Sequence, residues 1–362
     1  MRISGKEKIS KELTKMGNGV TKQIYNEENP NIEIPVRSLS NVEFDSETKT
    51  ISLGEQISKR YLFNVAHAKK FMQTMMVASF CKELLDHEVH ASIREAYYSL
   101  KRTIGDSNEN TFDEQKESDP VIVDLEVMLG TLREQLHLNA DRSGVAAGEV
   151  VIKDRDDTID MSKLGSGGWS IPSNVEDIDF KKVDAKFVLV AEKNATFDRL
   201  NEDKFWKKHD CVLIGAHGQA ARGTKRLIHR LHYEANLPVY VFTDADAYGY
   251  YIYSVIKSGS INLAHASDDF ATPKAKFLGL TMNDIEKYGL QKYTIRANES
   301  DLKRTNELKK YPWFKAKEWQ EELDLMIKRK IKAEQEALAA RHLKFVSDTY
   351  LPEKIKNKEF LP

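Results

Sequence analysis

The segment SIREAYYSLKRTI, at residues 92–104, carries two adjacent tyrosines among basic side chains, a combination that can attack a phosphate. Ser92 and Glu95 have the spacing of a capping box, which predicts that a helix begins here. With 3.6 residues per turn, Tyr97 falls on the apolar stripe of this helix, whereas Tyr98 falls on the other side. We therefore interpret Tyr97 as core packing and Tyr98 as the exposed member of the pair.

Tyr98 shares its side of the predicted helix with three cations, which are Arg94, Lys101 and Arg102. A phenol is a poor nucleophile unless its proton is removed and the charge on the attacked group is neutralised. Arg94, one turn earlier, is placed to bind a phosphate oxygen with both arms of its guanidinium. The alternative is a surface aromatic on a solvated basic face, and this stretch alone leaves both interpretations open.

Three carboxylates follow buried strand-like runs further along the chain. Glu192 ends the run KFVLVAE, and Asp244 and Asp246 end PVYVFTDAD. The carboxyl ends of neighbouring parallel strands open into one crevice, where carboxylates repel one another unless a cation binds. Mg²⁺ suits such a set of oxygen ligands. A lone Asp-x-Asp pair is more often a turn, but together with Glu192 it predicts a metal site.

A basic helix is predicted between these strands, in GQAARGTKRLIHRLHYEAN. Its cations recur at helical spacing and form one face, which comprises Arg222, Lys225, Arg226, His229 and Arg230. A solvated helix face is the ordinary explanation. However, the helix follows the strand CVLIGAHG, at the same sheet edge as the carboxylates, and this position favours contact with a phosphate backbone. His217, near the end of that strand run, is a further candidate contact.

Both helices and strands are needed to position these residues. The hydrophobic pattern along the chain predicts an α/β protein of several domains. Residues 1–50 are polar with short strand-like pieces and are interpreted as part of an arm. Helical patterns at about 55–87, from Ser92, and in PVIVDLEVMLGTLREQL precede the alternating stretch GVAAGEVVIKD, interpreted as a β-ribbon. Three helices followed by a strand pair suggest a winged helix-turn-helix.

The remainder of the chain is predicted to contain a parallel sheet. The stretch from Gly165 to Asp184 is interpreted as a linker, three buried strand runs alternate with helical patterns, and residues 313–347 are interpreted as an amphipathic helical region. The predicted domains are an N-terminal arm (1–68), a winged-helix domain (69–153) and a domain with the parallel sheet and C-terminal helices (154–362).

Composition limits the class of protein. The chain has 362 residues, of which 41% are hydrophobic and 31% charged, and its net charge is −1, so any nucleic-acid surface must be local. Its apolar runs are too short to cross a bilayer, and the charged N-terminus lacks a signal-peptide core, so we expect a soluble cytosolic protein. Cys81 and Cys211 follow or begin apolar runs and are expected to be buried, reduced thiols.

Five segments together resemble one known family, the A subunits of DNA topoisomerase VI, which also includes the meiotic double-strand-break transesterase. They are IREAYYSLKRT, AEKNATFDRL, IGAHGQAARGTKRLIHRL, TDADAYGYYIYSVIKSGS and the C-terminal YPWFKAKEWQEELDLMIKRKIKAEQEAL with YLPEKI. The likeness runs from about residue 60 to the C-terminus. It implies a winged helix-turn-helix domain that carries the nucleophile, followed by a Toprim domain that carries the metal.

The resemblance also implies roles for individual residues. The second tyrosine of the family's pair is the nucleophile and corresponds to Tyr98, and the family's arginine one turn earlier corresponds to Arg94. The Toprim acids correspond to Glu192, Asp244 and Asp246, with Glu192 also a candidate proton-transfer group. The chain departs from the family pattern DGDPYG at Ala245 and Ala247, and has His217 where lysine is usual, which puts turn geometry and DNA affinity in question.

The activity that the resemblance implies is a reversible double-strand break in DNA, with 5′-phosphotyrosyl links and with Mg²⁺ at the acids. No GxxxxGK[ST] stretch is present, so ATP is expected to bind a separate B subunit. The implied assembly is a homodimer of A subunits with composite sites, within an A₂B₂ heterotetramer. A nucleoid location is expected, or a nuclear one in a eukaryote.

Three other functions remain open from the sequence. The first is a Toprim-type nuclease that hydrolyses DNA with water, and the second is a non-catalytic winged-helix scaffold whose acids stabilise the fold. The third keeps the transesterification but forms breaks without strand passage.

Overall fold

The structure is a computed structural model that describes residues 2–362, with side chains from residue 5 onward. Within it the chain forms two compact units. The first contains the chain up to Glu43 together with Leu53–Asp141, and the second contains Phe44–Ser52 and Arg142–Pro362. The three predicted domains have limits at residues 68/69 and 153/154; as functional limits they stay a prediction.

The first unit is mainly helical. Its elements, with unit boundaries inside β2 and β3, are α1 (Arg2–Tyr25), β1 (Asn31–Pro35), β2 (Val42–Phe44), β3 (Ile51–Leu53), β4 (Ile57–Tyr61), α2 (Val65–His87), β5 (Ala91–Ser92), α3 (Ile93–Leu100), α4 (Gln115–Leu129) and β6 (Leu138–Asn139). Antiparallel β1 and β4 pair with each other, as do parallel β5 and β6. Side chains of α1 to α4 form its main core, which includes Leu13, Cys81, Tyr97 and Leu125.

The N-terminal region differs from the prediction of an arm with short strands. Residues 2–25 form α1, and its Leu13 and Val20 are buried in the cores of the first unit. The strand-like pieces exist, but they begin only after this helix, at β1 and β3. Gly17 and Gly19, which weaken a helical pattern, lie within α1 and obscured it.

The three helices predicted for the winged helix-turn-helix are present as α2, α3 and α4. The predicted β-ribbon is wrong, because its two strands belong to different sheets of the second unit. Val145–Ala147 pairs with Trp169–Ser170 and with Cys211–Gly215, whereas Val150–Asp154 pairs with Asp157–Asp160 and Ile178–Val183. Hydrophobic alternation identified the strands but not their partners.

The second unit combines strands and helices. Its strands are β7 (Val145–Ala147), β8 (Val150–Asp154), β9 (Asp157–Asp160), β10 (Trp169–Ser170), β11 (Ile178–Val183), β12 (Phe187–Ala191), β13 (Cys211–Gly215), β14 (Val239–Phe242), β15 (Lys276–Gly279), β16 (Ile295–Arg296) and β17 (Ile331–Lys332). Its helices are α5 (Asn194–Glu202), α6 (Phe205–Lys208), α7 (Arg222–Glu234), α8 (Ala247–Ser258), α9 (Ser267–Phe270), α10 (Met282–Lys287), α11 (Glu299–Leu308), α12 (Lys317–Arg329) and α13 (Leu351–Asn357).

The largest sheet has six strands in the order β10-β7-β13-β12-β14-β15. The three predicted strands, β12, β13 and β14, run parallel as expected, and β15 adds a fourth parallel strand that was not predicted. Its central strands are buried along their whole length, which explains their continuous apolar sequences. The register pairs Ala191 with both Gly215 and Phe242. The carboxyl ends of β12, β13 and β14 are therefore level, and the residues that follow them share one edge.

The structure of the second unit differs from the sequence prediction in two places, the predicted linker and the predicted C-terminal helical region. The predicted linker at residues 165–184 contains β10 and β11, each paired in a sheet, so this stretch is folded. The predicted helical region at 313–347 is helical only in part, because α12 ends at Arg329 and Lys330 adopts a left-handed conformation. The chain then forms β17 and a 3-10 helix at Gln335–Ala340, and π-helical Val346–Tyr350 leads into α13.

Both cysteines are buried free thiols, which confirms the prediction made for them. Burial raises the pKa of the Cys81 thiol to about 12, so it stays protonated. Among the described helices, none is both long and apolar enough to span a bilayer.

Candidate functional site

The tyrosine pair lies on α3, whose start is held by the predicted capping box. The Ser92 hydroxyl accepts a hydrogen bond from the Glu95 amide at 3.1 Å, and the Glu95 carboxylate accepts one from the Ser92 amide at 2.6 Å. At the other end, the Thr111 hydroxyl donates to the Leu100 carbonyl at 2.6 Å. The eight-residue helix is therefore fixed at both ends.

The two tyrosines have different environments, as predicted. Tyr97 is 7% exposed and its hydroxyl donates to the Asp113 carbonyl at 2.8 Å, whereas Tyr98 is 61% exposed. The Lys101 ammonium donates to the Tyr97 hydroxyl at 3.0 Å, and the two tyrosine rings are 5.0 Å apart. Arg94, one turn before Tyr98, is exposed, as is Arg102 after the helix. Since α3 ends at Leu100 and the Lys101 ammonium bonds to the Tyr97 hydroxyl, Arg94 is the cation that the helix places one turn from the accessible Tyr98 phenol.

The three predicted carboxylates lie in the second unit, at the edge where β12 and β14 end. Glu192 directly follows β12, and its carboxylate accepts a hydrogen bond from the Asp244 amide at 3.0 Å. Asp244 is 6% exposed. Asp246 caps α8 by accepting from the Gly249 amide at 2.7 Å. We call Glu192, Asp244 and Asp246 the acid cluster.

The surroundings of the acid cluster disfavour negative charge. Burial raises the pKa of Glu192 to about 7, and repulsion by Asp244 contributes to the shift. Burial likewise raises the pKa of Asp244 to about 6, although the Gln335 amide and the Lys193 ammonium oppose this, and it raises the pKa of Asp246. A bound cation would relieve this repulsion and stabilise the charged forms.

Lys193 and the chain after α12 complete the surroundings of Asp244, and sequence reasoning missed both. The Lys193 ammonium lies 3.0 Å from Asp244, 2.8 Å from Glu336 and 3.3 Å from Glu334. The Gln335 amide donates to Asp244 at 2.9 Å. Lys193 follows Glu192 directly in the sequence, and this adjacency was the one feature that could have predicted its place near the acid cluster. Residues 334–336 were hidden in a stretch interpreted as helical.

A metal ion was predicted at the acid cluster. Across residues 5–362, no three histidine, cysteine, aspartate or glutamate side chains lie close enough together to hold a metal ion as they stand. The donors nevertheless suit Mg²⁺, because they are carboxylates, they are largely buried, and Glu192 and Asp244 repel each other when both are charged. Asp244 already has an ammonium as its partner, so a divalent ion would have to compete with Lys193.

His217 lies at the same edge as the acid cluster. It is exposed in the turn after β13, with a φ of 60°, and the adjacent Gly218 amide donates to the Glu192 carbonyl at 2.8 Å. The sheet therefore brings His217 next to Glu192, as the parallel topology predicted.

The predicted cationic face of α7 is not a free surface, and this expectation is corrected. Arg222, Lys225 and Arg230 are at most 8% exposed. Arg222 and Lys225 lie over the Phe270 ring, at 5.1 and 5.6 Å from its centre. Helical spacing showed correctly that these cations share a face, but that face packs against protein.

The other members of the α7 face also have protein partners. Arg226 pairs with Glu176, with 3.2 Å between Nη2 and Oε2. Arg230 pairs with Glu234 at 2.6 Å, and His229 Nδ1 lies 2.7 Å from the Ala271 carbonyl. The four basic residues predicted to contact DNA on this helix are thus engaged within the second unit.

Known protein families match the parts of the chain that contain the tyrosine pair and the acid cluster. Three family models match the chain. They describe a type IIB DNA topoisomerase (residues 69–138), the all-beta domain in the DNA topoisomerase VI alpha subunit (143–184), and the Toprim domain of the topoisomerase 6 A subunit/Spo11 family (187–355). The acid cluster and Lys193 fall in the third match, and the tyrosine pair falls in the first.

Whole-chain relatives agree with these matches. The chain is 49% identical over 366 residues to the A subunit of type 2 DNA topoisomerase 6 from Pyrococcus abyssi, covering 98% of this chain and 96% of that protein. It is 48% identical to the protein of the same name from Pyrococcus horikoshii, with the same coverage, and 37% identical to that of Methanothermobacter thermautotrophicus, covering 96% and 97%.

Proposed function

The chain belongs to the family of DNA topoisomerase VI A subunits, the DNA-cleaving subunits of type IIB topoisomerases, and we propose that Tyr98 is its catalytic nucleophile. The observation that carries the proposal is the contrast within the tyrosine pair. Tyr97 is buried with its hydroxyl bonded to the Asp113 carbonyl, whereas Tyr98 is 61% exposed, with Arg94 one helical turn earlier. Of the two, Tyr98 is the one accessible to a phosphate of DNA.

The proposed step is a transesterification. The Tyr98 hydroxyl gives up its proton as its oxygen forms a bond to phosphorus, the bond between phosphorus and the 3′-oxygen breaks, and the 3′-oxygen takes up a proton. The product is a 5′-phosphotyrosyl ester and a free 3′-hydroxyl. Because one phosphodiester replaces another, the free energy of the broken bond is retained, and attack by the 3′-hydroxyl reseals the strand.

Arg94 is proposed to bind the non-bridging oxygens of the attacked phosphate. Charge builds on these oxygens in the transition state, and a guanidinium one turn from the nucleophile can donate two parallel hydrogen bonds to them. Lys101 and Arg102 extend the basic surface beyond the helix end and are proposed contacts to neighbouring phosphates. His217 is a proposed contact on the second unit.

The acid cluster is proposed to bind Mg²⁺ through Glu192, Asp244 and Asp246. When bound, Mg²⁺ would supply positive charge to phosphate oxygens and help to orient the strand. Glu192 is also proposed to take part in proton transfer, because its carboxylate lies at the same sheet edge as the proposed metal ligands.

Two partners follow from the proposal. Two strands need two tyrosines, so we infer a homodimer of A subunits in which Tyr98 of one chain and the acid cluster of the other act on the same phosphate. ATP is proposed to bind a B subunit in an A₂B₂ assembly, since no Walker A stretch occurs in the sequence.

The test is covalent capture. The full chain is incubated with supercoiled DNA, Mg²⁺ and ATP, with and without a B-type subunit, and quenched in denaturant. Protein is then sought on 5′ ends. We expect an adduct with the wild-type chain, none with Tyr98→Phe, and an adduct with the matched control Tyr97→Phe.

The outcomes separate the alternatives. An adduct that survives Tyr98→Phe would exclude Tyr98 as the nucleophile. Cleavage that leaves free 5′-phosphates would indicate a hydrolytic nuclease, and Mg²⁺-independent binding without any nick would indicate a scaffold.

A further inference from the structure

A basic cavity of about 460 Å³ lies in the second unit, apart from the acid cluster. Its walls are the turn after α10 and the chain after the 3-10 helix Gln335–Ala340. Four of its side chains can recognise a ligand, and they are Lys292, Tyr293, Arg341 and His342. We call this the cationic pocket.

The cations of the cationic pocket lack partners of opposite charge. No carboxylate lines the pocket, and among the described side chains neither Lys292 nor Arg341 forms an ion pair. Their neighbours in sequence behave differently, because Lys287 pairs with Glu359 at 2.9 Å and Lys344 with Asp203 at 3.3 Å. Positive charge without a counter-charge is therefore concentrated in this cavity, where an anion would relieve the repulsion.

The walls of the cationic pocket are held by the protein core. The Tyr288 hydroxyl donates to Glu353 at 2.9 Å, and the Tyr288 ring packs edge-on against Phe345 with 5.6 Å between centres. Gly289 has a φ of 66°, a left-handed conformation that favours glycine, and its turn lies against Arg341, whose Nη1 would be 3.5 Å from a Cβ there. The backbone of the walls is thus anchored to the core, while Lys292, Arg341 and His342 are exposed to solvent.

Tyr293 indicates what the anion is attached to. Its side chain is 51% exposed beside the cations, so its ring offers a flat surface on which a base can stack. Phosphate-binding cations next to an exposed aromatic ring are typical of nucleic-acid surfaces. A small inorganic anion would use the cations alone.

The position of the cationic pocket relates it to the acid cluster. The 3-10 helix Gln335–Ala340 leads into one wall: it begins at Gln335, whose amide donates to Asp244, and it ends directly before Arg341. Six residues of 3-10 helix span about 12 Å. The cationic pocket is therefore joined to the acid cluster by one short, continuous segment of the chain.

We propose that the cationic pocket binds a backbone phosphate of DNA a few nucleotides from the phosphate that is cleaved. Lys292 and Arg341 bind the phosphate oxygens, and Tyr293 stacks on the adjoining nucleotide. The identity of the ligand as the DNA substrate rests on the proposed function, and the chemistry recognised is a phosphate oxyanion.

The test measures binding without cleavage, in full-length protein carrying Tyr98→Phe. Affinity for a labelled 40-base-pair duplex is followed by fluorescence anisotropy at several salt concentrations. Lys292→Ala with Arg341→Ala is expected to weaken binding about tenfold at 0.1 M salt and to reduce the slope of log K against log[salt] by one to two units. Tyr293→Ala is expected to weaken binding with the slope unchanged.

The matched control removes two exposed lysines from another part of the same unit, with Lys303→Ala and Lys310→Ala. An equal loss of affinity in this control would show an effect of net charge and would overturn the proposal. Full affinity in the Lys292 and Arg341 variant would overturn it as well.

A second arm identifies the source of the phosphate. Inorganic phosphate and ADP are titrated into the wild-type chain and the Lys292 and Arg341 variant. Binding of either that depends on these residues, together with unchanged DNA affinity, would assign the pocket to a free anion and overturn the DNA assignment. Since the nucleophile is tested by covalent capture, failure of the pocket and failure of the Tyr98 proposal give different results.

Discussion

The ammonium of Lys193 lies 3.0 Å from a carboxylate oxygen of Asp244, so one of the three candidate metal ligands has a cation from its own chain. Burial alone would lower the pKa of Lys193, but the ion pairs with Glu336 and Asp244 outweigh it and raise that pKa. Lys193 is therefore charged at neutral pH, and it partly neutralises a site that would otherwise hold several buried acids.

Replacing Lys193 is expected to strengthen binding of a divalent cation. In Lys193→Gln the ammonium no longer competes for Asp244, and we expect Mg²⁺ to bind about tenfold more tightly, or about 1.4 kcal/mol. Calorimetric titration at pH 8, above the pKa values of about 7 and about 6 for Glu192 and Asp244, measures this. The control is Lys186→Gln, whose pair with Asp210 lies before the first residues of β12 and β13, at the opposite end of these strands from Glu192. Unchanged or weaker Mg²⁺ binding in Lys193→Gln would contradict the competition.

Removing the cap of α3 is expected to destabilise the protein. Ser92→Ala eliminates the hydroxyl that accepts from the Glu95 amide, and loss of such a cap costs about 1 kcal/mol. Urea unfolding measures the change, and the yield of covalent adduct should also fall because Tyr98 lies on the same short helix. Ser99→Ala, on the exposed side of α3, is the control and should leave stability unchanged or slightly higher. Equal stabilities for both variants would show that the cap has no role.

A methyl group at Gly223 is expected to destabilise the protein, because α7 contacts the backbone at Pro172 and Ser173 there. An added Cβ would lie 2.1 Å from the Pro172 carbonyl oxygen. We expect Gly223→Ala to lower the free energy of unfolding by about 1–3 kcal/mol. Gly17→Ala in α1, where no atom lies within 4 Å of the added Cβ, should instead raise it by up to about 1 kcal/mol. Thermal unfolding of both variants checks the contrast, and a neutral Gly223→Ala would contradict the close contact.

The buried Glu322 carboxyl is expected to make stability depend on pH. Burial raises its pKa from the ordinary 4.5 to about 7, although the Tyr250 hydroxyl and the Met282 amide donate to it. The folded state therefore prefers the protonated form. This contribution is complete below pH 4.5 and is lost as the pH rises through 7.

Glu322→Gln isolates this effect, because the amide oxygen can still accept both hydrogen bonds but does not titrate. Between pH 4.5 and 8, the free energy of unfolding of the wild-type chain should fall relative to the variant by up to about 3 kcal/mol. Urea unfolding at a series of pH values measures the difference. Parallel profiles for the two proteins would exclude Glu322 as the titrating group.

Several features could be predicted because they depend on residues near one another in sequence. The capping box placed the start of α3, and helical spacing separated buried Tyr97 from exposed Tyr98. The apolar runs identified the parallel strands, and the carboxyl ends of such strands always share an edge, so Glu192 and Asp244 meet.

Other features depended on contacts between distant segments. Spacing showed that the cations of α7 share a face, but segments some 40 to 55 residues away cover that face, including Glu176, Val175 and Ala271. Likewise, a local helical pattern could not show that the chain turns at Lys330 and returns to the sheet edge, where Ala333 pairs with Ala245.

The sequence by itself thus determined which side chains could act: a tyrosine with an arginine one turn away, and acids at the ends of buried strands. Only the tertiary structure decided which cations remain accessible and which, as in α7, form contacts within the protein. It also decided that Lys193 and Gln335 contact Asp244. The physical reason is the distance along the chain over which each kind of interaction acts. Periodicity and capping act within a few residues, whereas burial and ion pairing depend on whichever distant segment packs against a face.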